Sequence, residues 1–110
     1  MEGKILEVVF SGMAFKSLEQ IHEYGIETFS LKSATVFLDE LICEIESLNI
    51  NYLIHPECRY LITKSGRYRN LIYGSYNIIY RITSEKIEVL NILHSSRSVS
   101  VVKASKKIRI

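Results

Sequence analysis

Hydrophobic residues change their period once along this chain, near Leu48, and that change limits what it can fold into. Between about residues 30 and 48, Ala34, Phe37, Leu38, Leu41, Ile42, Ile45 and Leu48 recur at three- and four-residue steps, while Lys32, Asp39, Glu40, Glu44 and Glu46 fall mostly on the other side. This is an amphipathic helix laid on a core, and the stripe reads as packing rather than as a cofactor box. A helix precedes it, in which Ser11 can act as cap, Ala14, Leu18 and Ile21 repeat at helical spacing and Gly25 marks the end. Before that, residues 4–10 (KILEVVF) are short and rich in branched side chains, as a strand is.

Beyond Leu48 the pattern alternates. Residues 49–57 hold the only proline and read as an irregular connection, after which residues 59–63, 67–73, 76–83 and 86–94 read as four strands. Their links, Lys64-Ser65-Gly66, Gly74-Ser75 and Ser84-Glu85, are hairpin-short, and Gly74 in first place suits a type II′ turn. The expected class is therefore α+β: an N-terminal strand, then a two-helix hairpin packed on an antiparallel four-stranded meander. The turns also set a register, with Tyr73 opposite Tyr76, Leu71 opposite Ile78, Arg69 opposite Tyr80, and Arg81 opposite Glu88. Strict alternation then gives Leu71, Tyr73, Tyr76, Ile78, Tyr80, Ile82, Ile87, Val89 and Leu93 one apolar face for the helices. Tyr68, Asn70, Asn77, Arg81, Glu88 and His94 share the other with Ile72, Ile79, Leu90 and Ile92, a mixed surface where any function of the sheet belongs. Residues 95–110 are weakly patterned; a basic tail over 98–110, partly disordered or adding a strand through SVVK, is expected.

At 110 residues the chain has room for one core, and a two-domain enzyme is excluded. Cys43 and Cys58 lack the spacing of a redox pair or zinc site, so reduced thiols in a cytoplasm are expected, with no metal and no cofactor. The opening MEGKILEVVF carries Glu2 and Glu7 where an export signal would be basic and then apolar, and no apolar run is long enough for a membrane span. The net charge of +2 conceals a division: residues 1–58 hold three Lys or Arg against ten Asp or Glu, and residues 59–110 hold eleven against two. Either the halves neutralise each other across the fold, or the second half presents a basic surface to nucleic acid or an acidic partner.

The order of elements, together with particular strings, resembles the RelE/ParE superfamily of toxins from bacterial type II toxin–antitoxin (plasmid stabilization) modules. FSGMAFKSLEQIHEY resembles that family's first strand and helix, and SATVFLDELICEIESL its second helix. YRNLIYGSYNIIYRI followed by KIEVLNILHSSR is similar to its arginine-plus-leucine strand, its tyrosine-rich strand and its closing strand ending in His-x-x-Arg. The resemblance implies one of two activities. RelE-type members cleave messenger RNA at the ribosome, which requires cations to stabilise charge on phosphorus and an acid for the leaving oxygen. ParE-type members inhibit DNA gyrase without chemistry.

Aligned without gaps on Tyr76 and Tyr80, the positions where nuclease members carry their basic residues are here Tyr68, Asn70 and Asn77, and Arg97 alone matches one of their cations. A one-residue shift would bring Arg67 and Arg69 toward those places. The chain is thus closer to the ParE branch. Its expected partners are a cognate antitoxin, in a toxin–antitoxin hetero-oligomer, and gyrase or the ribosome with its messenger RNA as target. His94 and Arg97 are the catalytic candidates if it is a nuclease; otherwise His94 closes the sheet end by hydrogen bonding. Arg67, Arg69, Arg81 and Arg97 are the candidates for binding target or nucleic acid, Arg69 having a second reading as a structural arginine over Tyr80. A toxin remnant that only binds antitoxin is a further alternative.

Overall fold

The computed structural model describes residues 4–110, so Glu2, counted above among the acids, lies outside the described residues. Strand β1 (Glu7–Phe10) leads into α1 (Gly12–Thr28) and α2 (Leu31–Glu46), followed by a single turn, α3 (Leu48–Asn51). Ser11 and Ser30 cap the two long helices, their hydroxyls accepting from the amides of Ala14 and Ser33. α1 does not stop at Gly25 but continues to Thr28. At that glycine the two helices meet, and an added methyl would lie 2.9 Å from the Ala34 Cβ. The glycine therefore permits a close crossing instead of ending the helix.

Strands β2 (Tyr68–Tyr73), β3 (Tyr76–Ile82) and β4 (Lys86–His94) form the expected meander in the expected register, through Tyr73↔Tyr76, Leu71↔Ile78, Arg69↔Tyr80 and Arg81↔Glu88. Gly74 takes φ +59° at the first turn position while Ser75 keeps a negative φ, the sign pattern of a type II′ turn. The sheet is four-stranded and the class α+β, but the fourth strand is β1. It lies parallel to β4, in the order β1-β4-β3-β2, so the sheet is mixed rather than wholly antiparallel.

Residues 59–63 are not a strand. The place beside β2 is taken by the residues just upstream, Cys58 donating to the Tyr68 carbonyl at 2.8 Å and Asn70 to that of Pro56 at 3.0 Å. The Glu57 carboxylate then accepts from the Thr63 amide and curls the chain into a loop. Nor does SVVK add a strand. Both edges of β4 are occupied, by β3 and, over its first half, by β1. The segment instead coils into α4 (Val99–Ala104) and a tighter turn at Ser105–Lys107, with Val102 and Ser105 buried.

Two hydrophobic clusters sandwich the sheet. Leu71, Ile78, Tyr80, Ile87, Val89 and Ile92 pack against Ala14, Leu18, Leu41 and Ile45 of the helical hairpin. On the opposite face Tyr68, Ile79, Leu90 and Leu93 pack against Cys58 and Leu61 of the loop and Val102 of α4.

One irregularity redistributes these faces. Ile79 pairs with Asn91 and Tyr80 with Val89, leaving Leu90 as an extra residue in β4, a β-bulge. Beyond it the alternation is shifted by one: Ile92 faces the helices and Leu93 the other side, the reverse of their expected places. His94 moves with them to the helix side, opposite Tyr76.

Candidate functional site

The bulge brings His94 to an open aromatic groove. Its ring stands edge-on to Tyr76, centroids 5.6 Å apart at 88°. Its Nδ1 accepts from the Ser96 amide at 3.1 Å, with the Ser96 hydroxyl at 2.8 Å, so the amide contact fixes that nitrogen as an acceptor. Around it Ile21, Tyr24, Phe29 and Phe37 line a cavity of about 830 Å³ between the helical hairpin and the β2–β3 turn. Tyr24 is 60% and Phe29 73% exposed, so large apolar rings stand in solvent here. The hairpin around the groove is acidic, with Glu19, Glu23, Glu27, Asp39, Glu40, Glu44 and Glu46 against Lys16 and Lys32.

Arg97 is three residues further on but in a different place. Its amide donates to the His94 carbonyl, closing a turn. The residue lines a second cleft of about 370 Å³ with Lys16, Ser17 and Gln20 of α1 and Val101 and Ile108 of the C-terminal segment. The turn sends the two side chains to separate clefts, and the structure does not assemble them as an acid–cation pair.

The other arginines divide by what they already hold. Arg69 donates through Nε to the Gly66 carbonyl at 3.0 Å and through one terminal nitrogen to the carbonyls of His55 at 2.8 Å and Leu53 at 3.3 Å. It fastens residues 53–55 to the end of β2, a structural role. Arg81 is locked to Glu88, with Nε to Oε1 at 2.6 Å, and donates to the Tyr68 hydroxyl at 3.4 Å. Arg67 is exposed, its guanidinium 5.5 Å from the Tyr68 ring centre. Lys106 reaches the same ring at 5.9 Å and Arg81 at 5.8 Å. Burial would raise the Tyr68 hydroxyl pKa, but hydrogen bonds and charge from Arg81 and Arg67 outweigh it and hold the hydroxyl below the ordinary tyrosine value.

Sequence reasoning missed Lys106. Only the folding of the tail back onto the sheet brings it to Tyr68, and no local pattern announces that return.

At the centre of this outer face stand Asn70 and Asn77, whose buried side-chain oxygens find no donor among the described residues. The register is the unshifted one, so Arg67 and Arg69 do not replace them. Among the described residues no three His, Cys, Asp or Glu are grouped to hold a metal ion. No described helix is long and apolar enough to cross a membrane.

The acidic helical hairpin and the basic half are not joined by ion pairs among the described residues; both pairs there, Arg81–Glu88 and Lys86–Glu88, lie inside the basic half.

Comparison with known proteins gives a consistent picture. Residues 8–99 match the family model described as the ParE toxin of type II toxin–antitoxin system, parDE. A search of curated proteins returned no match. Among solved structures the chain is similar to one from a chromosomal ParDE toxin–antitoxin system of P. aeruginosa, at a TM-score of 0.71 and 12% identity. That match covers 84% of this chain and 98% of the other, and at this identity it speaks for the fold alone.

Proposed function

Since the chain belongs to the ParE toxin family of type II toxin–antitoxin systems, we propose that it inhibits a macromolecular target, DNA gyrase, by binding and without chemistry, and that a cognate antitoxin neutralises it. One observation carries the first part. The outer sheet face presents Tyr68, Asn70 and Asn77 where a nuclease needs cations, while His94 and Arg97 line separate clefts. Charge developing on a phosphoryl group at Asn70 and Asn77 would meet neutral amides, because the cations of this face gather around Tyr68, where Arg81 is already held by Glu88. Loss of one preorganised donor commonly lowers a rate about 10²–10³-fold, and several are lost together.

The antitoxin reading rests on the groove. A volume of about 830 Å³ edged by exposed Tyr24 and Phe29 admits the apolar stripe of an amphipathic helix. The net negative hairpin favours an occupant with basic residues flanking that stripe. Toxin and antitoxin would then form a hetero-oligomer.

Expression without antitoxin, with messenger RNA ends mapped and gyrase-dependent DNA breaks measured, tests the reading. It expects arrested growth, DNA breaks and intact messages. New codon-positioned cuts that vanish in His94→Ala or Arg97→Ala would replace it with ribosome-dependent cleavage, and unimpaired growth would leave a remnant that only binds antitoxin.

A further inference from the structure

Tyr68 is 2% exposed, yet three cations from three segments reach within 6 Å of its ring centre: Arg67 just before β2, Arg81 in β3 and Lys106 in the C-terminal turn. Cations this close repel one another, and one carboxylate, Glu88, answers them. That carboxylate is 8% exposed, is locked to Arg81 and lies 4.0 Å from Lys86. Arg67 and Lys106 are exposed, and neither has an ion-pair partner among the described residues. Lys103, Lys107 and Arg109 lie on the same C-terminal segment, also exposed, while Glu85 is the one exposed acid between residues 59 and 110. The acidic helices are on the far side of the sheet. This surface therefore carries an uncompensated field of one sign.

We infer that Arg67 and Lys106, flanking Tyr68 beside the anchored Arg81, form a phosphate seat on a basic face that binds the backbone of a nucleic-acid duplex directly. This goes beyond inhibition of a protein target, because it assigns the purified toxin its own affinity for nucleic acid. A row of cations spread over a C-terminal turn and a strand matches repeated phosphates better than a single small anion. The face also favours a duplex over a single strand. Base stacking requires open aromatic platforms, whereas Tyr68 is roofed by its cations and Tyr60 has the Arg59 guanidinium 5.4 Å from its ring centre. Charge without stacking surface reads the backbone alone.

Fluorescence anisotropy of the intact, purified chain with labelled DNA duplex, RNA duplex and single-stranded DNA tests this. Duplex binding in the range of about 10⁻⁴–10⁻⁶ M is expected, with affinity falling steeply between about 50 and 200 mM salt. Arg67→Ala and Lys106→Ala should each reduce the slope of log K against log salt by about 1, independently of duplex sequence. Lys32→Ala on the acidic hairpin should leave it unchanged, and melting curves of all three variants should match that of the parent. DNA and RNA duplexes bound alike would mark pure backbone recognition, and a preference for either identifies the natural source. Tighter binding of the single strand, or no duplex binding at about 50 mM salt, would overturn the inference. So would equal losses in Lys32→Ala, or displacement of the duplex by polyglutamate of the same total charge at lower concentration, which would make the face a site for acidic protein. Each outcome is independent of gyrase and of antitoxin, so failure here leaves the inhibitor reading intact.

Discussion

The Ser11 hydroxyl donates to the Leu90 carbonyl at 2.6 Å while accepting from the Ala14 amide at 2.9 Å. One fully buried side chain thus caps α1 and satisfies the carbonyl of the residue that bulges out of β4. The Ser11 amide takes the adjacent carbonyl, that of Val89. The start of the helical hairpin is in this way fastened to the irregularity that turns His94 toward the groove.

Ser11→Ala removes both bonds. A lost cap costs typically about 1 kcal/mol, and a buried acceptor left without a donor about 1–3 kcal/mol more. The expected loss is about 2–4 kcal/mol in a denaturant titration. Ser11→Thr, which keeps the hydroxyl, should recover part of it. A loss below about 0.5 kcal/mol would mean that the bulge stands without this contact.

That bond also separates what was readable in the sequence from what was not. Gly74-Ser75 and Ser84-Glu85 are local signals, and each fixed its hairpin register because a turn and the strands beside it are one short stretch of chain. The helical stripes were legible for the same reason, since burial on one side repeats every turn. Leu90 has no such mark. The carbonyl of the bulged residue is met by Ser11, far away along the chain, and strict alternation misplaced Ile92, Leu93 and His94. Residues 59–63 alternate well enough for a strand, but Pro56 and Cys58 reach the edge of β2 first. The four arginines were visible as charges, and the Ser84-Glu85 turn already set Arg81 opposite Glu88, whereas the Leu53 and His55 carbonyls that occupy Arg69 come from an upstream loop that no local pattern brings to it.

Gly25→Ala should force α1 and α2 apart. The new methyl would meet the Ala34 Cβ at 2.9 Å, and that atom, fixed to a helix backbone, cannot swing aside. Overpacking of this kind costs about 1–3 kcal/mol, reduced by up to about 1 kcal/mol of improved helix propensity. Both residues line the aromatic groove, so antitoxin binding should weaken together with stability. Thermal melting and calorimetric titration with antitoxin measure the two effects. Improved stability with unchanged binding would show that the crossing has slack.

His55 sets the expected pH response. Burial disfavours its charged form, Glu44 opposes this only in part, and its pKa lies below the ordinary 6.5. Between that lowered value and 6.5 the unfolded chain binds the proton more readily than the folded one. The stabilising contribution is therefore complete above about pH 6.5 and declines as pH falls through that value toward the folded pKa. Stability should drop on acidification from neutral pH toward about 5.5, before carboxylates titrate appreciably. His55→Gln should flatten this part of the profile. An unchanged slope in the variant would assign the effect to other groups.

His94 and Arg97 should behave as residues of two sites, not one. His94 stands against Tyr76 at the end of the aromatic groove, and Arg97 faces Lys16 and Gln20 across the second cleft. If the groove receives the antitoxin helix, His94→Ala removes an edge contact to a ring that lines it. Such a contact within the toxin is worth about 0.5–1.5 kcal/mol to its stability, and the loss of a side chain that lines the groove should raise the dissociation constant for antitoxin. Growth inhibition by the free toxin should persist. Arg97→Ala should leave antitoxin affinity within twofold, because its cleft lies apart from the groove. Calorimetric titration of both variants with antitoxin, alongside growth curves without it, separates the two residues. Equal loss of toxicity in both, with antitoxin binding intact in both, would reunite them as a catalytic pair and sink the two-site assignment.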